Sequence, residues 1–395
     1  MNSLPSPDRT ENRLSDRDVA RARDLALRYG WNATAFQVVN PGIRHWFSPD
    51  REAVVGYVER QRVRVVAGAP ICAEERLPDV LDAFEEQARR AGHSVCYFGA
   101  AGRVMSLIGD CPGYSTVLLG AQPVWNPARW SEIIAGHASL RAQVARARNK
   151  GVTTEEWPPC RVREHPGLRR VLDEWLSTRP LPPLHFLIEP ETLSYPEGRR
   201  VFVALKEGTP IGFVNCSPVP ARSGWLTEQF VRGHNAPNGT VELLLDTAVR
   251  AVAADDARYL TMGLVPLSDR NWDATRINPL WLRLVLTWVR AHGRRFYHFD
   301  GLERFKAKFH PETWETIYAV SNEPRFTPRT LYAIAHAFSQ RPPAIAVAQG
   351  ATRALRQEFR RLSAFRCLRV TPTSGIPYND KTRGKSDPPL DTRSV

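Results

Sequence analysis

A chain of 395 residues with 43% hydrophobic and 24% charged residues is typical of a globular protein with two ordinary domains. Its net charge of +13 and pI near 9.8 indicate an anionic partner, either nucleic acid or an anionic membrane surface. The six cysteines are scattered without ligand spacing, which argues against a disulfide framework and a zinc site and favours a reducing cytoplasm. No apolar run approaches the roughly 20 residues that span a bilayer.

The first half is predicted to run as a hairpin, a helix, a strand, a short helix and a strand. Before it, the polar segment 1–15 predicts disorder, and a helix is expected over 16–29 with Ser15 or Asp16 as its cap. The elements of the first half are expected over 53–59, 62–67, 77–91, 94–100, 100–110 and 114–125.

Residues 139–150 are predicted to form a helix with four cations and no acidic residue. The cations are Arg141, Arg146, Arg148 and Lys150. A solvated basic face is the ordinary interpretation of such a helix. However, four uncompensated cations repel one another unless a polyanion lies against them. We therefore expect this helix to contact nucleic acid.

The second half repeats the order of elements found in the first half, although the residues themselves differ. Its elements are expected over 201–219, 224–231, 240–256, 258–263, 278–292, 294–299, 301–309 and 316–321. The repeated order predicts a duplicated α/β unit. The two domains are expected over 16–138 and 152–340, with 139–151 as the connecting helix.

The C-terminal segment, 341–395, contains a strongly basic stretch at 351–369. This stretch has six arginines and one glutamate, with apolar residues between them. A basic amphipathic segment suits an anionic membrane surface or RNA, and packing of a helix on the second domain is the alternative. The composition after Pro372 predicts disorder.

A polar cluster at 227–246 contains candidate site residues. Gly239 is expected to open a helix, so the free N–H groups of the first turn form a site that favours anions. Glu242 lies on that turn, where simple compensation of the helix dipole is the alternative. Glu228 lies in a strand among large apolar residues, which favours a position facing a pocket, and Arg232 follows it.

The second candidate segment is 299–314, FDGLERFKAKFHPETW. It follows a β-type run at 295–299 and is expected to form a helix that opens near Gly301. Its apolar stripe has helical spacing and consists of Leu302, Phe305 and Phe309.

The lysines of this segment have different positions relative to the stripe. Arg304 and Lys308 project from the opposite side of the predicted helix, as solvated charges do. Lys306 lies at the border of the stripe. A lysine beside buried phenylalanines either extends its ammonium to water or points into a cleft for a functional reason.

Three ordered motifs carry a resemblance to a known family. APNG at 236–239, GLVPLS at 263–268 and the segment 299–314 resemble the catalytic domain of aminoacyl-phosphatidylglycerol synthases. These enzymes are the lysyl- or alanyl-phosphatidylglycerol transferases, also called multiple peptide resistance factors. The resemblance covers roughly 40–340 and is strongest over 225–320. It implies tandem acetyltransferase-like (GNAT) domains and a DUF2156-like stand-alone member of the family.

The resemblance also implies a reaction, the transfer of an aminoacyl group from charged tRNA to a hydroxyl of an anionic lipid, most simply phosphatidylglycerol. Because an aminoacyl-tRNA ester is already activated, no cofactor or metal is expected. The implied protein is cytoplasmic and lies peripherally at the inner face of the membrane. No counterpart of the membrane-spanning region of full-length members is recognised, which leaves a soluble small-molecule acceptor as an alternative.

The family's motif residues correspond to particular positions of this chain. Its acidic position before APNG matches Glu228, where aspartate is common, and its acidic position after APNG matches Glu242. Its basic pair matches Lys306 and Lys308. One departure is Val231, which stands where the family has an arginine three residues after the acid, and it puts the placement of the substrate in doubt.

The implied catalytic residues are Glu228, Lys306 and Glu242. Lys306 or backbone N–H groups near Gly239 would stabilise the oxyanion. Glu228 would hold the α-ammonium of the aminoacyl group or act as general base, and the sequence leaves both roles open. The expected substrate-binding residues are Arg232, Asn238, Gly239, Arg304 and Lys308, and those for tRNA are Arg141, Arg146, Arg148 and Lys150.

Two other classes of function remain as alternatives. An acetyltransferase that uses acyl-CoA has a similar fold, but the sequence lacks the Q/R-x-x-G-x-G/A loop that binds the CoA pyrophosphate in that superfamily. A non-enzymatic RNA- or membrane-binding protein would share the positive charge. The combination of Glu228 and Lys306 argues against that second class.

Overall fold

The computed structural model describes residues 7–179, 183–268, 270, 278–292 and 299–339, and only the backbone of 7–15, 288–292, 299 and 300. The helices of this part are α1 (Pro7–Tyr29), α2 (Leu77–Arg90), α3 (Gly102–Ile108), α4 (Trp130–Gly136), α5 (Ala138–Asn149), α6 (Pro159–Val162), α7 (Pro166–Ser177), α8 (Thr240–Ala254), α9 (Leu280–His292), α10 (Phe299–Ala307) and α11 (Pro328–Ser339). The strands are β1 (Arg44–Phe47), β2 (Val54–Arg60), β3 (Val63–Ala67), β4 (Ser94–Ala100), β5 (Ser115–Trp125), β6 (Val152–Trp157), β7 (Arg200–Lys206), β8 (Thr209–Val219), β9 (Gly224–Arg232), β10 (Tyr259–Thr261), β11 (Val265–Pro266) and β12 (Thr313–Ser321).

All of these strands belong to one continuous sheet. Its order is β1-β2-β3-β4-β12-β5-β10-β9-β8-β7-β6, and β11 pairs with β5 at its side. The pairs β3–β4 and β9–β10 are parallel, one in each half of the chain, and the other described pairs are antiparallel. The predicted fold class, two similar α/β units in tandem, is confirmed.

The last strand of each half lies between strands of the other half. β12 pairs with β4 on one side and β5 on the other, while β5 pairs with β12 and β10. The β5–β12 pairing extends from Thr313↔Val124 to Ser321↔Ser115 with one register shift. The two halves therefore share a single hydrogen-bonded sheet, and the sequence did not indicate this exchange.

Helices cover both faces of the first half of the sheet. α2 lies on one face because its apolar residues fall on one side of the helix and are all buried: Leu77, Val80, Leu81, Phe84 and Ala88. Residues of α3 join the same core cluster. On the opposite face, α9 and α11 pack against a second cluster that includes Phe186 and Phe338.

Helices also cover both faces of the second half. α5 and α8 pack together on one face, where Val144 and Leu244 share a core cluster with residues of β7 and β8. α7 covers the other face through Leu168, Val171 and Leu172. α10 packs beside α8 through Phe305, and Phe309, in the turn after α10, shares the same cluster with Trp130 of α4. This arrangement brings α5, α8 and α10 together at one side of the sheet.

Several boundaries differ from the predicted ones. α1 begins at Pro7, before the predicted start of its helix at 16, so the helix includes part of the segment 1–15. α10 begins at Phe299 and not near Gly301, so the predicted strand 294–299 is wrong at its last residue. The remainder of that strand and the segments 341–350 and 351–395 lie outside the described residues.

Candidate active site

Strands β9 and β10 diverge after a short parallel pairing. They pair only from Tyr259↔Gly224 to Thr261↔Leu226, after which β9 continues to Arg232 alongside β8. The chain leaves β10 at Met262. Crevices at the carboxyl ends of parallel strands are common ligand sites in α/β sheets. Two of the predicted catalytic residues lie at this divergence. Glu228 belongs to β9, and Lys306 bonds to the chain that follows β10.

Lys306 binds the chain where it leaves β10. Its Nζ donates to three successive carbonyl oxygens, those of Met262 at 2.6 Å, Gly263 at 2.9 Å and Leu264 at 3.1 Å. An ammonium has three N–H donors, so these carbonyls use all of them. Lys306 therefore ties together the segment in which the chain turns away from the end of β10.

The environment of Lys306 changes its protonation. The residue is 4% exposed, and Phe309, in the turn just after the helix, is in the apolar core. Burial lowers the pKa of Lys306 to about 7. Of the two interpretations that the sequence left open, extension to water is excluded, because the ammonium points into the protein.

Glu228 occupies a β-bulge in β9. The register passes from Asn215↔Gln229 to Cys216↔Thr227, so Glu228 has no partner of its own on β8. A bulge redirects the side chain of the extra residue and is frequent beside active sites. The carboxylate of Glu228 therefore leaves the regular alternation of the strand.

Four hydrogen bonds hold the Glu228 carboxylate. Arg199 donates Nε to Oε2 at 3.1 Å and Nη2 to Oε1 at 3.5 Å, and Asn215 Nδ2 donates to Oε2 at 3.2 Å. Gln37 Nε2 donates to Oε1. The sequence analysis missed these three partners. Gln37 lies 191 residues from Glu228, and no periodicity or motif connects residues at such a separation.

Glu242 and Lys308 join α8 to α10. Lys308 Nζ lies 2.7 Å from Glu242 Oε1, with the carboxylate on the first turn of α8. The ammonium also lies 4.2 Å from the ring centre of Phe305. The position of Glu242 agrees with compensation of the helix dipole, and its ion pair adds a tether between the two helices.

The residues around the start of α8 differ in accessibility. Arg232 and Asn238 are exposed, whereas Gly239 is buried with φ of +93°. A Cβ at Gly239 would lie 2.0 Å from the carbonyl oxygen of Gln143 on α5. Only glycine permits this close approach of α5 to the start of α8.

The four cations of α5 do not have equal environments. Arg148 pairs at 3.3 Å with Asp246 of α8, a buried carboxylate that also accepts from Trp130 and Arg250. This corrects the statement that the helix has no compensating acid, because the acid comes from another element. Arg141 donates to carbonyl oxygens at the end of α4. Arg146 and Lys150 are exposed.

The structure brings the predicted site residues into two groups. Lys308 and Glu242 form an ion pair at the start of α8, Lys306 bonds to the chain after β10 from the same segment as Lys308, and Glu228 lies apart with the partners described above. In the described part of the chain, no hydrogen bond or ion pair joins Glu228 to Lys306. Arg304 is exposed on α10, and Val231 is fully buried in the cluster beneath α7.

The chain is similar to known proteins. The family described as phosphatidylglycerol lysyltransferase, C-terminal, matches residues 23–321, which include both groups. The chain belongs to that family. A relative from Bacillus subtilis, phosphatidylglycerol lysyltransferase, is 25% identical over 294 residues, which are 74% of this chain and 33% of the relative. The chain thus spans about a third of the length of that family member.

Solved structures of family members show the same fold. A C-terminal domain of the DUF2156 type from Agrobacterium fabrum is 25% identical, with a TM-score of 0.69 over 82% of this chain and 98% of that one. L-PGS from Bacillus licheniformis is 22% identical, with a TM-score of 0.68 over 85% and 97% of the two chains. The recognition of the family from its three motifs is therefore confirmed.

The described residues contain neither a cluster of metal ligands nor a membrane-spanning helix. Within the described ranges, no group of three or more His, Cys, Asp and Glu side chains is arranged to hold a metal ion. The helices in the same ranges are too short or too polar to cross a bilayer.

Proposed function

We propose that this chain transfers an aminoacyl group from aminoacyl-tRNA to a hydroxyl of phosphatidylglycerol. The observation that carries the proposal is the family match over residues 23–321, which contains the divergence of β9 and β10 and the residues around it. Relatives of the chain are named phosphatidylglycerol lysyltransferase. An enzyme of this class needs an activated aminoacyl donor, and the ester of an aminoacyl-tRNA is such a donor.

The reacting ester is placed at the divergence of β9 and β10. There the acceptor hydroxyl attacks the ester carbonyl, so that a new C–O bond forms and the C–O bond to the tRNA ribose breaks. The proton of the acceptor hydroxyl ends on the ribose oxygen that leaves. The tetrahedral intermediate carries a negative charge, which fixed positive charge and N–H groups stabilise in a site that excludes water.

The residues take roles that their contacts support. Lys306 holds Met262–Leu264 in position, and in its charged form it places a buried positive charge near the intermediate. Glu228 is assigned to the ammonium of the aminoacyl group, because a buried carboxylate held in a fixed position by Arg199 is suited to contact with a positively charged group. Glu242 and Lys308 position α10 against α8, with Lys308 near enough to the surface for phosphate.

The partners are assigned to exposed groups. Arg146 and Lys150 of α5 are proposed to contact the acceptor stem, and Arg232, Asn238 and Arg304 the phosphates at the end of the tRNA or the lipid head group. The net charge of +13 favours both partners. We place the protein at the inner face of the cytoplasmic membrane, where charged tRNA and phosphatidylglycerol are both accessible.

Val231 supports a second candidate acceptor. It stands where the resemblance implies an arginine, and its complete burial beneath α7 means that it takes no part in placing a charged head group. A soluble hydroxyl compound is therefore the alternative acceptor for the same aminoacyl transfer.

The test uses purified protein, a mixture of radiolabelled aminoacyl-tRNAs, and vesicles with or without phosphatidylglycerol. We expect label in the organic phase only when phosphatidylglycerol is present, and none after treatment with RNase. Deacylation of tRNA without labelled lipid would support the soluble acceptor. Intact aminoacyl-tRNA in every reaction with folded protein would contradict both transferase functions.

A further inference from the structure

Two buried amides beside Glu228 each have an unused hydrogen-bond acceptor. Gln37 and Asn215 are both 1% exposed, and the nitrogen of each donates to the Glu228 carboxylate. Their oxygens, Gln37 Oε1 and Asn215 Oδ1, are buried and accept no hydrogen bond from the described protein. Buried polar atoms are nearly always paired in folded proteins, so two such atoms around one carboxylate indicate a missing partner.

The orientation of these amides follows from their chemistry. A carboxylate paired with a guanidinium accepts hydrogen bonds and donates none. If either amide were turned over, its oxygen would face a carboxylate oxygen, and two acceptors would repel each other. The nitrogens must therefore face Glu228, and the unpaired atoms are oxygens in both residues.

The missing partner must donate hydrogen bonds. Arg199, whose side chain is 1% exposed, already balances the charge of Glu228. The fully unpartnered atoms of Gln37 and Asn215 are both amide oxygens, which attract a group with several N–H bonds. A primary ammonium has three N–H bonds and no acceptor, and the proposed aminoacyl substrate carries at least one ammonium.

We propose that Gln37 and Asn215, together with Glu228, form the binding site for the ammonium of the aminoacyl substrate. This inference rests on the proposed function and extends it to the recognition of the amino acid. The ammonium can be the α-ammonium, common to all aminoacyl groups, or the side-chain ammonium of lysine. The chemistry of recognition is the same for both, and the substrates used in the test separate them.

The proposed site requires both halves of the chain. Gln37 lies on a short 3-10 helix, Ala35–Val39, in the first half, and it also donates to Ser217 Oγ on β8 at 3.2 Å. Asn215 belongs to β8 and Glu228 to β9. The first half therefore has a direct part in substrate recognition, in addition to its share of the common sheet.

The first experiment measures binding without tRNA or lipid, so that it does not depend on the proposed transfer. Wild-type protein is titrated calorimetrically with alaninamide, lactamide, lysinamide and Nε-acetyl-lysinamide. If the site takes the α-ammonium, alaninamide binds more tightly than lactamide. If it takes the side-chain ammonium, lysinamide binds more tightly than its acetylated form. We expect roughly a tenfold to hundredfold preference in one of these pairs, as is typical of hydrogen bonds to a charged group.

Variants then assign the preference to the two amides. Gln37→Met and Asn215→Leu keep the approximate size of the side chain and remove its oxygen, so we expect the preference for the ammonium to fall at least tenfold. Gln87→Met, an exposed amide on α2, is the matched control and should retain the preference. Ser217→Ala, which removes only the contact to Gln37, is a milder variant if the first two fail to fold.

The results distinguish the inference from the proposed function. Equal binding of both members of each pair to folded wild-type protein would overturn the inference, and it would mean that ordered water pairs the two amide oxygens. An unchanged preference in folded Gln37→Met and Asn215→Leu would overturn it as well. A clear preference for the ammonium-bearing compound that is lost in both variants would support the inference. This holds even if the labelled-tRNA assay showed transfer to a different acceptor.

Discussion

Lys306 shows how one residue can combine a structural and an electrostatic role. The sequence placed it at the edge of an apolar stripe, and the structure directs its ammonium to three carbonyl oxygens at the end of β10. These three carbonyls lie just after β10, beyond the residues that pair with β9. Burial makes the charged form costly, and the lowered pKa follows from that cost.

The pKa of Lys306 predicts a dependence of stability on pH. It is about 7 in the folded protein and has a usual value of 10.5. Between these values the unfolded chain binds more protons than the folded chain, so the Lys306 contribution to the free energy of unfolding rises with pH. Below pH 7 both states are protonated and this contribution is constant.

The measurement compares wild type with Lys306→Met in urea denaturation from pH 6 to pH 9. We expect the variant to be less stable, because three carbonyls lose their donor. We also expect the difference in free energy of unfolding between wild type and Lys306→Met to increase by up to about 1 kcal/mol per pH unit above pH 7. Lys308→Met, two residues along the chain, is the control for loss of a lysine. Parallel pH profiles of wild type and Lys306→Met would contradict the prediction.

Helix α5 shows that the role of a charged residue on one helix depends on the residues of the helices packed against it. Its arginines formed one basic set in the sequence, but Arg148, although 60% exposed, pairs with the buried Asp246 of α8, whereas Arg146 and Lys150 have no ion pair within the described residues. The close approach of α5 at Gly239 has the same origin, since both contacts fix α5 against α8. Part of the basic helix is therefore a packing surface.

This division predicts different effects for two similar substitutions. Arg146→Ala should weaken tRNA binding and reduce the slope of log affinity against log salt by about 1, with an unchanged melting temperature. Arg148→Ala should lower the free energy of unfolding, because Asp246 loses one of its partners. The loss should be only about 1 kcal/mol, since Trp130 and Arg250 still bond to Asp246. Fluorescence anisotropy over a salt series and thermal denaturation measure the two effects. Equal losses of affinity and equal stability in both variants would be evidence against the division.

The exchange of β5 and β12 determines the behaviour of the molecule as a whole. Each half contributes its last strand to the interior of the common sheet, so neither half can complete its own hydrogen bonds alone. The unpaired backbone groups of an interior strand are costly in water-free surroundings and prone to aggregation when exposed. The two halves should therefore fold as one unit.

We expect a single cooperative unfolding transition. Circular dichroism and tryptophan fluorescence should give the same midpoint, because separation of the halves would break the pairing of β5 with both neighbours. Fragments 1–151 and 152–395, expressed separately, should fail to reach the native fold. Two resolved transitions, or a first fragment that is folded and monomeric by itself, would show that the exchange is dispensable.

The sequence by itself determined the family, the fold class and most elements of the described chain. These properties depend on local spacing: apolar periodicity in α2 and α8, turn residues in the hairpins, and three motifs in fixed order. It also identified Lys306 and Glu228 as charged residues placed among apolar ones, where a charge facing solvent was not expected.

Only the tertiary structure decided which groups these residues meet. The carbonyls that hold Lys306, the amides around Glu228 and the acid that pairs with Arg148 come from elements distant in sequence. The exchange of β5 and β12 cannot be predicted from local sequence either, because the alternation of apolar residues in each strand would be the same beside any partner strand. Hydrogen bonds and ion pairs between distant residues depend on how the chain closes in three dimensions, and no local period records that closure.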